Sequence, residues 1–459
     1  MIERKKILAL VMPASGHINM MCCLIKELVT QKNFHVILYS VEKYRNLVER
    51  SGAEYREFKN AEALVDLNSN ISIMDVMSDL LNLSKNVLPE MIECCNKEKP
   101  DLILSDALSS YGRYLVNHLE KKAKNNKLNY KLPKVVLVYP CFAMLENIYP
   151  NKEERSLAFG KLNFQLLKKY IKLCLEQRKI NKRFDLTYPS DFISLSRTMA
   201  AEKHLFICGV FHELQPRADN MIHKFKFIGC CISDEVRHFD IKNEKLKELL
   251  DTFEPKNPQF EEQAKKDNGK KLIYASLGTV FNNNISVFER IIHAFETFDQ
   301  EPFISNSKIN SKDLELVVSV GNVVYEIFQD RIINGKLNLP HNVLILPSVP
   351  QIEILKRASL FITHAGMNST SETIHYGVPI IALPIMGDQP LVALRICDEL
   401  NFGKRFDYTK FSSEELRRSM HEVLGNKQYL ENILEFTELS RKRNGCQIGA
   451  NLIVDYLNQ

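Results

Sequence analysis

Tryptophan is missing from this chain of 459 residues, so no site in it can rest on an indole ring. No two cysteines stand at C-x-x-C spacing, and six of the eleven form the adjacent pairs Cys22-Cys23, Cys94-Cys95 and Cys230-Cys231. Neighbouring cysteines rarely bridge each other, which argues against a zinc ribbon and a secreted disulfide framework; reduced, buried thiols in a cytosol-like compartment are expected. No apolar run reaches the ~20 residues needed to span a bilayer. Residues 7–12, behind Arg4, Lys5 and Lys6, imitate a signal peptide but are too few, and residues 451–459 offer no apolar tail. A soluble, cytoplasmic protein without a membrane span is the expectation. An excess of one charge is lacking too: 61 Lys and Arg stand against 56 Asp and Glu, with no long block of like sign, which argues against a nucleic-acid partner. The most basic stretch, residues 168–182, is interleaved with Leu and Ile at helical spacing and reads as a solvated helix face rather than a membrane patch.

What is present describes a globular α/β protein. With 45% hydrophobic and 25% charged residues the chain can bury enough apolar surface to offset its ordering entropy, and its length suits two domains. Residues 6–12 form a strand-like apolar run. Ile18, Met21, Cys22, Ile25, Leu28 and Val29 then recur at the period of a helix with one buried face, and a second strand is expected at 34–40. Strand, helix and strand within this distance make a βαβ unit and hence a parallel sheet. Further strands are expected at 102–105, 135–139, 205–208 and 225–228. Between 233 and 270 the composition turns polar, with Pro255 and Pro258, and reads as an interdomain linker. The alternation then restarts, with strands at 271–277, 316–320, 343–346, 360–363 and 379–383 and helices at 287–298 and 352–357. Two βα series around a linker predict two doubly wound, Rossmann-like domains, with ligands at the carboxyl ends of their strands.

The densest chemistry lies in Thr363-His364-Ala365-Gly366-Met367-Asn368-Ser369-Thr370-Ser371-Glu372, followed by Gly377-Val378-Pro379 and Asp388-Gln389. A strand that ends in a short glycine-containing loop and opens a helix gathers unpaired N–H groups and the positive end of a helix dipole at one spot, where an anion belongs. Taken alone, Ser369 and Glu372 read more simply as a capping box and Gly366 as a tight turn. The sum of the pieces inside one βαβ unit favours the anion.

The segment from Ser348 to Gln389 resembles the signature of family 1 glycosyltransferases, the UDP-glycosyltransferases of GT-B fold. That resemblance implies two Rossmann-like domains facing across a cleft: residues 1–235 binding the acceptor, 236–268 linking, 269–425 binding the nucleotide sugar, and a helical segment, 426–459, crossing back to brace the first. It implies His364, Gly366, Asn368 and Ser369 at the phosphates, Glu372 on the ribose hydroxyls, and Asp388 with Gln389 on the sugar. Ser348, Val349 and Gln351 are similar to the loop touching uracil and ribose, Thr279 to a hydroxyl near a phosphate, and Ser15 joins the donor set. Many members carry Trp where this chain has Ser348, so a base stack of ~1 to 3 kcal/mol is replaced or lost. No metal and no cofactor beyond the UDP-sugar substrate are implied, and the chain has no Asp-x-Asp pair, the metal-binding signature of the other large glycosyltransferase fold.

Sugar transfer to a hydroxyl needs a base, and imidazole titrates near working pH. A lone histidine at a helix start is more often structural, yet His17, in Ser15-Gly16-His17 after the first strand, stands where the family keeps its base. Such a base works best when a carboxylate takes its other N–H. Asp106 is the candidate; the residues alone leave it equally a helix cap. The expected reaction is an inverting transfer of a sugar, glucose first, to a hydroxyl of a small lipophilic acceptor such as a phenol, flavonoid, macrolide or xenobiotic, by a monomer. Acceptor choice is expected in residues 65–88, 109–114, 141–148 and 164–186. A dehydrogenase is disfavoured because the first loop lacks G-x-G-x-x-G. A nucleotide-sugar epimerase of the same fold and a non-catalytic binding protein stay as alternatives.

Overall fold

The computed structural model describes residues 4–59, 73–160, 163–187, 203–237, 240–255, 269–278, 283–300 and 309–459. It resolves into two compact units, one running as far as Arg237 and taking back Arg443–Gln459, the other spanning His238–Lys442.

The first unit is a seven-stranded sheet: β1 (Lys6–Leu10), β2 (His35–Ser40), β3 (Glu54–Glu57), β4 (Leu102–Asp106), β5 (Lys134–Tyr139), β6 (Leu205–Cys208) and β7 (Phe225–Phe227), in the order β3-β2-β1-β4-β5-β6-β7. All recorded pairs are parallel, in register from Leu8 opposite Ile37 and Ile103 outward. The central strands read as unbroken apolar runs because helices cover both faces of such a sheet. Helix α1 (Ser15–Thr30) turns Ile18, Met21, Cys22, Ile25 and Leu28 into a core shared with Ile7, Ala9, Leu38 and Leu104. The helices α2 (Ile73–Glu98), α3 (Ser110–Lys124) and α4 (Phe164–Phe184) complete what concerns the site.

The second unit repeats the plan. Its strands β8 (Lys271–Ser276), β9 (Leu314–Ser319), β10 (Val343–Leu346), β11 (Ala358–Thr363), β12 (Ile380–Ala382) and β13 (Gly403–Arg405) lie in the order β10-β9-β8-β11-β12-β13. The stretch expected as linker is not linker throughout, for it contains α5 (Glu244–Asp251), started by Asn243, whose side chain accepts the Leu246 N–H. Arg357 fastens its end, donating to the carbonyls of Leu250 at 3.1 Å and Phe253 at 3.2 Å. Helices α6 (Gln351–Leu355), α7 (Met367–Tyr376) and α8 (Gln389–Ala393) carry the polar cluster, and α9 (Lys427–Lys442) braces α7 through Thr437 Oγ1 donating to the Ile374 carbonyl at 2.7 Å.

The residues expected to cross back divide, since α9 stays with the second unit and α10 (Gly445–Asn458) packs on α1 in the first. Contact there is close: a methyl group on Gly449 would stand 2.9 Å from Leu24 Cδ1. Lys134 Nζ donates to the Tyr456 carbonyl at 2.7 Å, tying the far end of α10 to β5.

Candidate active site

In a doubly wound sheet the crevice opens where strand order reverses, at the carboxyl ends of the two middle strands. In the first unit those strands are β1 and β4, and the structure brings the two expected residues together there. His17 stands in the first turn of α1, which begins at Ser15 behind an extended Ala14. Asp106 is the last residue of β4. His17 Nδ1 lies 2.6 Å from Asp106 Oδ2, and the carboxylate also accepts N–H bonds from Met12 at 3.2 Å and Leu108 at 2.9 Å. Asp106 is only 1% exposed, so these donors replace the water it has lost and suit a carboxylate. As a carboxylate Asp106 can only accept, which puts the shared proton on Nδ1 and leaves the lone pair of a neutral His17 on Nε2. Capping does not occupy Asp106, because Ser109 stands at the start of α3. Ser15 Oγ lies 3.0 Å from Tyr44 OH, a partner the sequence did not signal.

In the second unit the reversal falls between β8 and β11, and His364 stands just past the end of β11. Glycines wall its ring on two sides: a methyl group on Gly366 would lie 2.5 Å from His364 Nε2, and one on Gly278 would lie 2.8 Å from Cε1. Gly278 also has φ +82°, a conformation that suits glycine. Burial pushes the His364 imidazole down to about 4, so it is neutral at pH 7, and its Nδ1 is buried without a hydrogen-bond partner among the described residues.

Helix α7 starts at Met367 behind Gly366, two residues before the start near Ser369 that the sequence suggested. The capping box does not form. The first intrahelical bond is Thr370 N–H to the Gly366 carbonyl at 2.9 Å, so the amides of Met367, Asn368 and Ser369 precede it and stand at the positive end of the dipole. Glu372 is 1% exposed and takes Asn368 Nδ2 at 2.7 Å and Gln351 Nε2 at 2.6 Å. Gln351 Nε2 also reaches Ser369 Oγ at 3.2 Å, while Tyr274 OH donates to its Oε1 at 3.3 Å. Gln351, Asn368, Ser369 and Glu372 thus form one network, with Tyr274 beneath as a member that its apolar strand context concealed. Ser348 is exposed and Val349 half-buried on the loop leading to α6. Asp388 precedes α8 without capping it, and Gln389 Oε1 accepts the amides of Ile385 at 2.9 Å and Met386 at 3.2 Å, shaping its own loop. Thr279 lies outside the described residues.

Of the stretches expected to choose the acceptor, 109–114 is buried, 141–148 mixes buried with half-buried residues, and residues 65–72 lie outside the described residues. Helix α4 turns Leu173, Gln177 and Ile180 inward and Phe164, Ile171 and Leu175 outward. Among the described residues no helix is long and apolar enough to cross a membrane.

Two parallel doubly wound sheets in succession, each with a polar cluster where its strand order reverses, make up the GT-B fold. Solved structures share the architecture along the whole chain: the glycotransferase of kitacinnamycin (TM-score 0.69, 21% identity, 99% of both chains covered) and CalG4, the calicheamicin glycosyltransferase (TM-score 0.69, 16%, covering 100% of this chain and 99% of that one). Os79 from O. sativa, in complex with U2F and trichothecene, superposes with a TM-score of 0.67 at 16% identity, over 98% of this chain and 100% of its own. In sequence, residues 330–444 match the family UDP-glucoronosyl and UDP-glucosyl transferase. An uncharacterized UDP-glucosyltransferase, YojK of Bacillus subtilis (strain 168), is 25% identical over 97% of this chain and 96% of its own. The NDP-glycosyltransferase YjiC of Bacillus licheniformis is 26% identical over the same shares. In fold along its whole length, and in sequence over residues 330–444, the chain is thus similar to UDP-glycosyltransferases.

Proposed function

We propose that this enzyme transfers a sugar, glucose being the first candidate, from a UDP-sugar to a hydroxyl of a small lipophilic acceptor with inversion at the anomeric carbon. The observation that carries the reading is the His17–Asp106 pair, a buried carboxylate fixing one ring nitrogen so that the other can act as base. His17 Nε2 takes the acceptor's proton while its oxygen forms a bond to C1; the bond from C1 to the β-phosphate oxygen breaks in the same displacement, and UDP departs with the electron pair. The amides of Met367, Asn368 and Ser369 and the neutral His364 ring receive the diphosphate, whose growing charge meets fixed dipoles rather than mobile water. Glu372, already organised by Gln351 and Asn368, is the acceptor for ribose hydroxyls. The UDP held in an Os79 structure and the names of the Bacillus relatives support the donor class.

Incubation with labelled UDP-glucose and a panel of phenols tests this. A glycoside with inverted configuration is expected, and His17→Ala should lower turnover by about 10² to 10⁴ while leaving UDP affinity unchanged. Free isomerised donor would make the enzyme an epimerase, donor binding alone would make it a binding protein, and His17→Ala turnover near that of the parent would remove His17 as base.

A further inference from the structure

Helix α4 leaves an apolar side largely exposed. Phe164 is 70% exposed, Ile171 52%, Leu175 49% and Leu167 38%, in a protein whose large hydrophobic residues are mostly buried. Exposed apolar side chains scattered singly need no explanation. These four are not scattered: positions 164, 167, 171 and 175 follow each other at steps of three and four, so they form one continuous ridge along the outer face. The opposite face is fully engaged, with Leu173, Gln177 and Ile180 buried and Tyr114 OH donating to Gln177 Oε1. The helix is therefore held in place by one side and presents the other.

The ridge has cations along it. Seven of the 21 residues of α4 are Lys or Arg, and only Glu176 is acidic. Continued by the same steps, the ridge reaches Arg178 and Lys182, neither with an ion-pair partner among the described residues. At its other end Lys168 Nζ lies 4.6 Å over the Phe164 ring. A buried protein interface would discard most of these charges, since each must be desolvated. A surface that is apolar just below and anionic at its face accepts both components: the ridge enters the acyl boundary and the cations stay among headgroups.

We propose that α4 is a peripheral membrane-docking helix that seats the first unit on a bilayer carrying anionic lipid. Phe164, Ile171 and Leu175 enter the interface, and Lys168, Arg178 and Lys182 meet the headgroups. The helix lies in the plane of the membrane and does not cross it. Such a seat places the unit carrying His17 next to the phase into which lipophilic molecules partition. The docking itself depends on neither the donor nor the acceptor named above.

Vesicle sedimentation with the full chain decides it. Vesicles of phosphatidylcholine containing one quarter phosphatidylglycerol should retain the protein at least about tenfold better than pure phosphatidylcholine, and raising the salt from about 0.1 to about 0.5 M should erase most of the difference, in line with the shorter screening length. Ile171→Gln/Leu175→Gln and Arg178→Gln/Lys182→Gln should each weaken retention by about fivefold or more, since the two components act together. Unchanged thermal midpoint and UDP affinity certify that the variants are folded. The proposal is overturned by failure to bind anionic vesicles at low salt, by equal retention of parent and variants, or by a dimer that Ile171→Gln/Leu175→Gln returns to monomer, which would assign the ridge to a second copy of the chain.

Discussion

Replacing Asp106 by Asn keeps the shape of the side chain and changes its hydrogen-bonding sense, so it isolates what the carboxylate does. In the parent, three donors converge on it: His17 Nδ1 at 2.6 Å and the amides of Met12 and Leu108 at 3.2 and 2.9 Å. An amide accepts through one atom only. If its oxygen turns to Leu108, its NH₂ faces His17 and the Met12 N–H; the ring must then offer a lone pair from Nδ1 and carry its proton on Nε2, where it is no base. If the oxygen turns to His17, the NH₂ meets the Leu108 N–H, and a buried donor is left without an acceptor. The first arrangement removes catalysis, and the loss in kcat should be about 10³ to 10⁴, the scale found when an amide misdirects a catalytic imidazole. That corresponds to ~4 to 5.5 kcal/mol of transition-state stabilisation. The unmatched donor adds about 1 to 3 kcal/mol of instability, a few degrees in the unfolding midpoint. Initial-rate kinetics with saturating UDP-sugar, together with UDP titration calorimetry, separate the two effects, because the residues proposed to hold the nucleotide lie in the other unit. A folded Asp106→Asn enzyme with kcat within a few-fold of the parent would refute the pairing as the source of basicity.

His364 gives a pH signature. Its folded pKa of about 4 lies below the ordinary 6.5, so between these values the unfolded chain binds a proton that the folded one refuses. Stability is therefore full above pH 6.5 and falls as pH drops toward 4, by roughly 2 to 3 kcal/mol. Urea unfolding of parent and His364→Gln at about pH 7.5 and about pH 4.5 should show a difference between the two proteins that shrinks or reverses at the lower pH; a difference independent of pH contradicts the reading. Gly278→Ala combines an unfavourable φ of +82° with a methyl group 2.8 Å from His364 Cε1. A stability loss of ~1 to 2 kcal/mol and a UDP affinity weaker by about tenfold are expected by calorimetry, and an unchanged affinity would mean the ring does not serve the phosphate site.

The central strands were legible because each is buried on both faces, which writes an unbroken apolar run such as Val135 to Val138, recognisable without its neighbours. β6 likewise falls at residues 205–208 as expected. Of the four edges, β7 and β10 fall where 225–228 and 343–346 were expected, but the two polar ones were not legible. β3 reads Glu-Tyr-Arg-Glu and β13 Gly-Lys-Arg, polar segments whose place depends on the neighbour they extend. The start of α7 slipped by two residues because glycine rather than a side chain makes the turn at Gly366. His17 and Asp106 stand 89 positions apart, and the residues alone left Asp106 open as a cap; strand order decided it by placing β1 beside β4. The Gln351–Glu372 bond and the two glycines against His364 have no local signature, since each is a meeting of segments that only the folded sheet brings together.

The return of α10 to the first unit has a consequence for biosynthesis. The chain that covers α1 is made only after the whole of the second unit, so the half that begins first on the ribosome is completed last. Until then Leu24 and Ile228 lack the backbone that closes over them, and a nascent chain carries a finished second unit and an unfinished first one.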